Sequence, residues 1–103
     1  MTNHLSKQLI SFDELSCEEI VLQKNRTLHF KNTSQHNMSL YCISGIAIIH
    51  ALDSTLSLID TTPMVSGEVY VLTENTQTFL IESLNTTDHD LKFLKILTRT
   101  SNA

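Results

Sequence analysis

A run of short β-type segments, separated by turn-forming residues between positions 38 and 82, constrains the fold of this chain most strongly. The segments are rich in Ile, Val, Leu and Tyr, and the tips between them contain Asp, Asn, Ser, Thr and Gly. Branched and aromatic side chains favour strands, and closely spaced strands are typical of a small antiparallel sandwich or barrel. The sequence therefore predicts an all-β fold, and its 103 residues are the length of a single domain.

Hydrophobic alternation and turn signals locate the individual elements. Ser11 and Glu14 have the spacing of a capping box, which predicts one helical turn at residues 12–15. Pro63 has no N–H to donate, so we expect the sheet to be interrupted at residues 61–63. Strands are predicted at residues 8–12, 19–22, 28–31, 40–43, 46–52, 56–59, 68–72 and 78–82, with turns or loops at residues 32–37, 53–55, 74–75 and 85–88.

The last apolar segment, residues 91–98, fits two kinds of secondary structure. Lys92, Lys95 and Arg99 would share one face of an amphipathic helix. Leu91 and Phe93 instead alternate with the lysines, as in a strand. We favour the strand, and we expect a flexible tail at residues 1–8, a folded domain at residues 9–98 and a second tail at residues 99–103.

Charge and cysteine content exclude several classes of protein. The formal net charge is −4 and the basic residues are scattered, so the surface that binds nucleic acid is missing. No segment has the apolar core of a signal peptide or the ~20 apolar residues of a membrane span. Two cysteines, Cys17 and Cys42, are too few for a disulfide scaffold, and the expected location is the cytoplasm.

Two glycine-containing motifs carry a resemblance to a known family. Residues 41–45 read Tyr-Cys-Ile-Ser-Gly, and residues 67–72 read Gly-Glu-Val-Tyr-Val-Leu. Residues 78–81, Thr-Phe-Leu-Ile, and residues 90–93, Asp-Leu-Lys-Phe, follow at the expected distances. Over residues 38–98 the pattern resembles the cupin superfamily, the RmlC-like jelly rolls, and within it is similar to ectoine synthase. The resemblance implies a small antiparallel barrel.

The positions that would bind iron in ectoine synthase have changed in this chain. The family uses a Glu seven residues before the first glycine, the Tyr of the second motif, and a His eight residues after that Tyr. Those positions hold Met38, Tyr70 and Thr78 here. A thioether is a soft ligand, a neutral hydroxyl is a weak one, and a single phenol is too few ligands for iron or zinc. We therefore expect no metal and no other cofactor.

Alternate residues of a strand point to the same side, so the resemblance implies which side chains line the barrel. Tyr70 is expected as a general acid, with His36 or Glu82 as the base. The candidate ligand-binding residues lie on faces that the resemblance turns inward: Met38, Leu40, Cys42, Tyr70, Thr78 and Leu80. Structural interpretations stay open beside these roles, with Met38 and Cys42 filling the core and Tyr70 packed as an aromatic residue.

Three functions are compatible with this sequence. The first is a metal-free cupin that binds a small polar metabolite in its barrel. The second is an enzyme, either a lyase that closes a ring by dehydration or a sugar-nucleotide ketoisomerase. The third is a homodimeric structural domain, joined through its N-terminal strands or through an apolar face expected to contain Tyr41, Ile43, Ala47 and Ile49.

Overall fold

The computed structural model describes residues 4–31, 36–72, 78–84 and 90–99, and the side chains of all of these except His4 and His36. Every regular element in these ranges is a strand, which confirms the predicted all-β class. The strands are β1 (His4–Ser11), β2 (Leu15–Leu22), β3 (Thr27–Lys31), β4 (His36–Ser44), β5 (Ile46–Leu52), β6 (Leu58–Val65), β7 (Val69–Val71), β8 (Thr78–Ser83) and β9 (Leu91–Arg99).

The strands form two antiparallel sheets that enclose one apolar core. The five-stranded sheet has the order β1-β2-β9-β4-β7, and the four-stranded sheet has the order β3-β8-β5-β6. Large side chains from both sheets are fully buried between the layers: Leu40 and Phe93 from the first, and Ile49, Phe79 and Ile81 from the second. Phe30 lies edge-on to Phe93, with ring centroids 6.4 Å apart. Burial of these side chains is the main favourable term in folding.

Gly45 is the point at which the chain passes from one sheet to the other, between β4 and β5. Its φ of +88° suits glycine, and a Cβ atom there would lie 2.9 Å from the Cα atom of Leu91. The crossing changes which positions face the core. Even-numbered residues such as Cys42 are buried before it, and odd-numbered residues such as Ala47 are buried after it. The prediction that Tyr41, Ile43, Ala47 and Ile49 share one outer face is therefore wrong. Ala47 and Ile49 are in the core.

The first hairpin differs from its prediction. β1 begins at His4, within the predicted tail, and pairs antiparallel with β2. It is an edge strand whose described side chains are all exposed, so it lacks the buried stripe that would identify it in the sequence. The predicted helical turn at residues 12–15 is wrong. The N–H of Phe12 donates to the carbonyl of Leu15 at 2.8 Å, which closes a hairpin, and β2 starts at once.

The predicted interruption at Pro63 is also wrong, because β6 continues through it and pairs with β5. β6 is at the edge of its sheet. Pro is tolerated in an edge strand, because its missing N–H can face the side that has no neighbouring strand. The turn before β6 forms at Asp53 as predicted, although the return strand starts at Leu58 and not at residue 56. The carboxylate of Asp53 accepts hydrogen bonds from Thr55 and Ser57 at 2.7 to 2.9 Å. The hydroxyl of Thr55 contributes most to the lowered pKa of Asp53.

The remaining predicted elements agree with the structure where it describes them. β5 has the predicted bounds, and β9 is a strand over its whole length, as favoured above. The predicted loops at residues 74–75 and 85–88 and most of the loop at residues 32–37 lie outside the described residues. None of the described elements is a helix long and apolar enough to cross a membrane.

Candidate functional site

Polar side chains occupy inward-facing positions at one edge of the four-stranded sheet. Asp60 and Thr62 on β6 lie directly opposite the buried Ala51 and Ile49 of β5. Residues opposite each other in an antiparallel pair point to the same face, so both positions belong to the inner face. Thr62 is half-buried there, and Asp60 is exposed. The hydroxyl of Thr62 donates to Oδ2 of Asp60 at 2.7 Å.

Tyr70 enters the same region from the other sheet. It lies on β7, opposite Leu40 of β4, and is half-buried against the core. Burial, and then the negative charge of Asp60, raise the pKa of the Tyr70 phenol above its ordinary value. The phenol is therefore a protonated hydrogen-bond donor at neutral pH, and its ionisation responds to the carboxylate of Asp60 across the sandwich.

A tight turn brings β6 and β7 together at this edge of the two sheets. The N–H of Glu68 donates to the carbonyl of Val65 at 3.0 Å, and Gly67 has the positive φ of +91° that the third position of a type II turn requires. The N–H of Gly67 also donates to the carbonyl of Cys42. We call this site the β6–β7 edge. It contains Asp60, Thr62 and Tyr70, and behind them lie the buried Met38, Leu40 and Met64.

Cys42 lies on the inner face, as predicted, but its thiol belongs to the core. It is fully buried, and its sulfur lies 3.7 Å from the carbonyl oxygens of Ser44 and Gly45. Burial, and then the charge of Glu68, raise the pKa of this thiol. A protonated, buried thiol is a poor nucleophile, so Cys42 contributes packing and not reactivity. Met38 and Leu40, also predicted to face inward, are buried beside it.

The predicted inward orientation of Thr78, Leu80 and Glu82 is wrong. Along β8 the buried side chains are Phe79, Ile81 and Ser83, so the alternate residues face outward. Residues 79–81 are all apolar, and the sequence pattern therefore does not determine which face is buried. Glu82 instead lies 3.4 Å from Nε2 of His50, on the outer face of β5. It is not positioned to act inside the barrel.

His36, the other predicted base, belongs to β4 and not to the preceding loop. Its backbone pairs with that of Arg99 at the end of β9. Asp60 and Thr62 were absent from the predicted site. A signal for them was present, because Asp60, Thr62 and Met64 alternate with a period of two, as residues on one face of a strand do. The expected interruption at Pro63 obscured that period.

The architecture is shared with many solved structures. The cupin domain of an XRE family transcriptional regulator from Enterobacter cloacae superposes with a TM-score of 0.75 and 10% identity, over 97% of this chain and 100% of that one. KdgF from Halomonas sp. superposes with a TM-score of 0.74 and 10% identity, over 97% of this chain and 82% of that one. The chain has the cupin fold. Ectoine synthase from P. lautus superposes with a TM-score of 0.72 and 14% identity, over 95% of this chain and 65% of that enzyme.

These cupins have different activities. They include an enzyme and a domain of a transcriptional regulator, so the cupin fold by itself specifies no reaction. No family model matches the sequence, and no curated protein matches it. The function must therefore be argued from the side chains of this particular barrel.

The donor atoms at the β6–β7 edge do not fit the iron site that the resemblance to ectoine synthase implies. Within residues 4–31, 36–72, 78–84 and 90–99, no group of three or more His, Cys, Asp or Glu is arranged to hold a metal ion. Among the described side chains at this edge, the donors are the phenol of Tyr70, the carboxylate of Asp60, the hydroxyl of Thr62 and the thioethers of Met38 and Met64. A soft thioether and a protonated phenol are weak ligands for a divalent ion, and one carboxylate beside them does not complete a metal site.

Proposed function

We propose that this cupin binds a small polar molecule at the β6–β7 edge without using a metal. One observation carries the proposal. Polar side chains from opposite sheets occupy inward-facing positions of β6 and β7: Asp60, which is exposed, Thr62, and Tyr70, which is half-buried against the apolar core. Ligand sites in proteins commonly combine an apolar lining with a few convergent polar groups.

The chemistry of the three polar groups is complementary. Tyr70 supplies a protonated donor, the Asp60 carboxylate supplies acceptors, and Thr62 holds that carboxylate in position. Met38 and Met64 are buried in the core behind these groups, and the flexible side chain of methionine can rearrange to admit a ligand. A molecule of a few carbon atoms with at least one donor and one acceptor matches this arrangement.

A thermal-shift screen of amino-acid derivatives, nucleotide sugars and small polar metabolites is expected to yield a ligand that raises the melting temperature. Tyr70→Phe is expected to weaken its binding about fivefold to tenfold, because one hydrogen bond to the ligand is lost. Tyr41→Phe is the matched control, since Tyr41 lies outside the barrel, opposite the exposed Val69. Equal affinities in both variants and in the wild type would contradict a site at Tyr70.

An enzyme of the lyase or isomerase class is the second candidate. The juxtaposition of a protonated phenol and a carboxylate favours it, because Tyr70 can act as an acid and Asp60 as a base on one bound molecule. The proposed base is Asp60 and not the predicted Glu82, because Glu82 faces outward. Turnover of a ligand found in the screen, lost in Tyr70→Phe and retained in Tyr41→Phe, would identify catalysis. Unchanged turnover in Tyr70→Phe would exclude Tyr70 as the acid.

We further propose that the chain forms a homodimer through the outer face of the five-stranded sheet. Two adjacent rows of outward residues cross this face, one with Val69, Tyr41 and Leu94, and the next with Val71, Ser39 and Ile96. Val69 and Val71 are each 60% exposed. An apolar surface of this extent is usually covered by another protein, and a flat sheet face can pack on its own copy.

Sedimentation at tens of micromolar is expected to give a dimer for the wild type and a monomer for Val69→Lys, because a buried unpaired charge opposes association. Leu56→Lys is the control, since Leu56 is 68% exposed at the tip of the β5–β6 hairpin. A monomeric wild type would rule out the dimer. A dimer that survives Val69→Lys would rule out this face.

A further inference from the structure

A histidine and a glutamate meet on the outer face of the four-stranded sheet, on the side that faces away from the core. His50 points outward from the middle of β5, and Glu82 points outward from the neighbouring strand β8. Nε2 of His50 lies 3.4 Å from Oε1 of Glu82, and the two side chains are 29% and 47% exposed. Both groups are therefore accessible at the surface of the folded chain.

The separation of these two atoms matches that of two ligands on one zinc ion. In a tetrahedral site, an imidazole nitrogen lies ~2.0–2.1 Å from zinc and a carboxylate oxygen ~2.0–2.2 Å from it. Two such ligands are then ~3.3–3.5 Å apart. The observed distance between Nε2 of His50 and Oε1 of Glu82 is 3.4 Å. The pair can therefore bind zinc with little movement of either side chain.

Thr61 holds the imidazole in an orientation that suits metal binding. It lies directly opposite His50 on β6, and its Oγ1 is 3.3 Å from Nδ1 of His50. A hydroxyl can accept the proton of Nδ1–H, and that tautomer leaves the lone pair of Nε2 facing Glu82. Metal-binding histidines are commonly oriented by a hydrogen bond at their second ring nitrogen. Thr61 is therefore a positioning residue for Nε2.

One copy of the chain supplies only half of a structural zinc site, which has four protein ligands. Within residues 4–31, 36–72, 78–84 and 90–99, no third His, Cys, Asp or Glu joins His50 and Glu82. A second copy related by a twofold axis would contribute the same two groups. The charges of two carboxylates and one zinc ion sum to zero, which lowers the cost of burying them between two proteins. Without zinc, the two carboxylates would repel each other.

The surface around the pair suits the same arrangement. Packed sheets lie ~10 Å apart, so a histidine or glutamate of each copy has to reach only ~5 Å to the plane between them. We propose that zinc joins two copies of this chain through the outer faces of their four-stranded sheets, with His50 and Glu82 of each copy as its ligands. The neighbouring side chains are apolar and half-buried or exposed: Ile48 and Leu52 of β5, Pro63 of β6 and Leu80 of β8.

This zinc site is separate from the β6–β7 edge and lies on the opposite side of the sandwich from the homodimer face proposed above. Sedimentation with and without equimolar zinc chloride tests it, in the wild type and in Val69→Lys, whose five-stranded sheet is expected not to associate. Zinc is expected to double the sedimenting mass of Val69→Lys, with one zinc ion bound per two chains, and EDTA is expected to reverse the change. Magnesium is expected to have no effect, because it prefers oxygen ligands in an octahedral site.

Variants assign the zinc to these residues. His50→Gln removes the nitrogen ligand and is expected to abolish the zinc-dependent increase in mass. Thr61→Val keeps both ligands and is expected to raise the zinc concentration required about tenfold, because the imidazole is no longer held. His29→Gln is the matched control, since His29 is an exposed histidine of β3 on the far side of Leu80, and it is expected to respond as the wild type does. Urea denaturation of each variant checks that it is folded.

Three results would overturn the inference: no zinc-dependent increase in mass in the folded wild type, an equal increase in His50→Gln, or one zinc ion bound per chain. An unchanged zinc requirement in Thr61→Val would show that Thr61 does not position the imidazole. These results are independent of the proposals made above. Ligand binding at the β6–β7 edge is tested by Tyr70→Phe, and the dimer through the five-stranded sheet is tested by Val69→Lys in the absence of zinc.

Discussion

Phe93→Ala lowers the free energy of unfolding by about 3–5 kcal/mol, the largest effect that we expect from a single substitution in this barrel. Phe93 is fully buried on the inner face of β9, opposite Ile20 on β2 and Cys42 on β4. Truncation removes the apolar surface that fills the centre of the five-stranded sheet. It also removes the edge-on contact with Phe30 and leaves a cavity that the neighbouring strands cannot close.

The expected loss is a large fraction of the total stability of a small domain, about 5–15 kcal/mol. Urea denaturation measures it as a lower midpoint at unchanged slope. Phe12→Ala is the matched control, because it makes the same chemical change at a residue that is 73% exposed in the first hairpin. We expect it to change stability by less than about 0.5 kcal/mol. Similar losses in both variants would contradict the assignment of the core.

Gly45→Ala is the second large effect, with an expected loss of about 2–4 kcal/mol. The backbone at this position has a φ of +88°, and the added methyl group would lie 2.9 Å from the Cα atom of Leu91 and 3.1 Å from the carbonyl oxygen of Asp90. Both neighbouring atoms belong to the backbone, so neither can rotate away. Relief requires that β4 and β9 separate at the crossing between the sheets.

Gly67 provides an unusually close control for this prediction. Its φ is +91°, nearly that of Gly45, but a methyl group added there has no atom within 4 Å. Gly67→Ala therefore measures the backbone strain alone, about 1 kcal/mol. The difference between the two variants, read from the midpoints of urea denaturation, isolates the steric contact at Leu91. Equal losses would mean that the close approach at Gly45 relaxes without cost.

Agreement between sequence and structure is best where secondary structure depends on local pattern. β5 and β9 were predicted because branched or alternating apolar residues favour strands whatever they pack against. The turn at Asp53 follows from hydrogen bonds between residues at most four positions apart. Only the second half of β1 lies in a predicted strand, at residues 8–12, for the converse reason. Its side chains are exposed at a sheet edge, so no buried stripe marks it.

The sequence by itself determined that this chain forms short antiparallel strands around one core, because alternation and turn chemistry act over a few residues. Only the tertiary structure decided which faces of β5 and β8 are buried. The crossing at Gly45 reverses the parity between β4 and β5, and packing against the other sheet turns Phe79 inward in place of Thr78 and Leu80. The same non-local pairing brings Asp60 to Tyr70, since each lies on a different sheet and neither motif specifies the other.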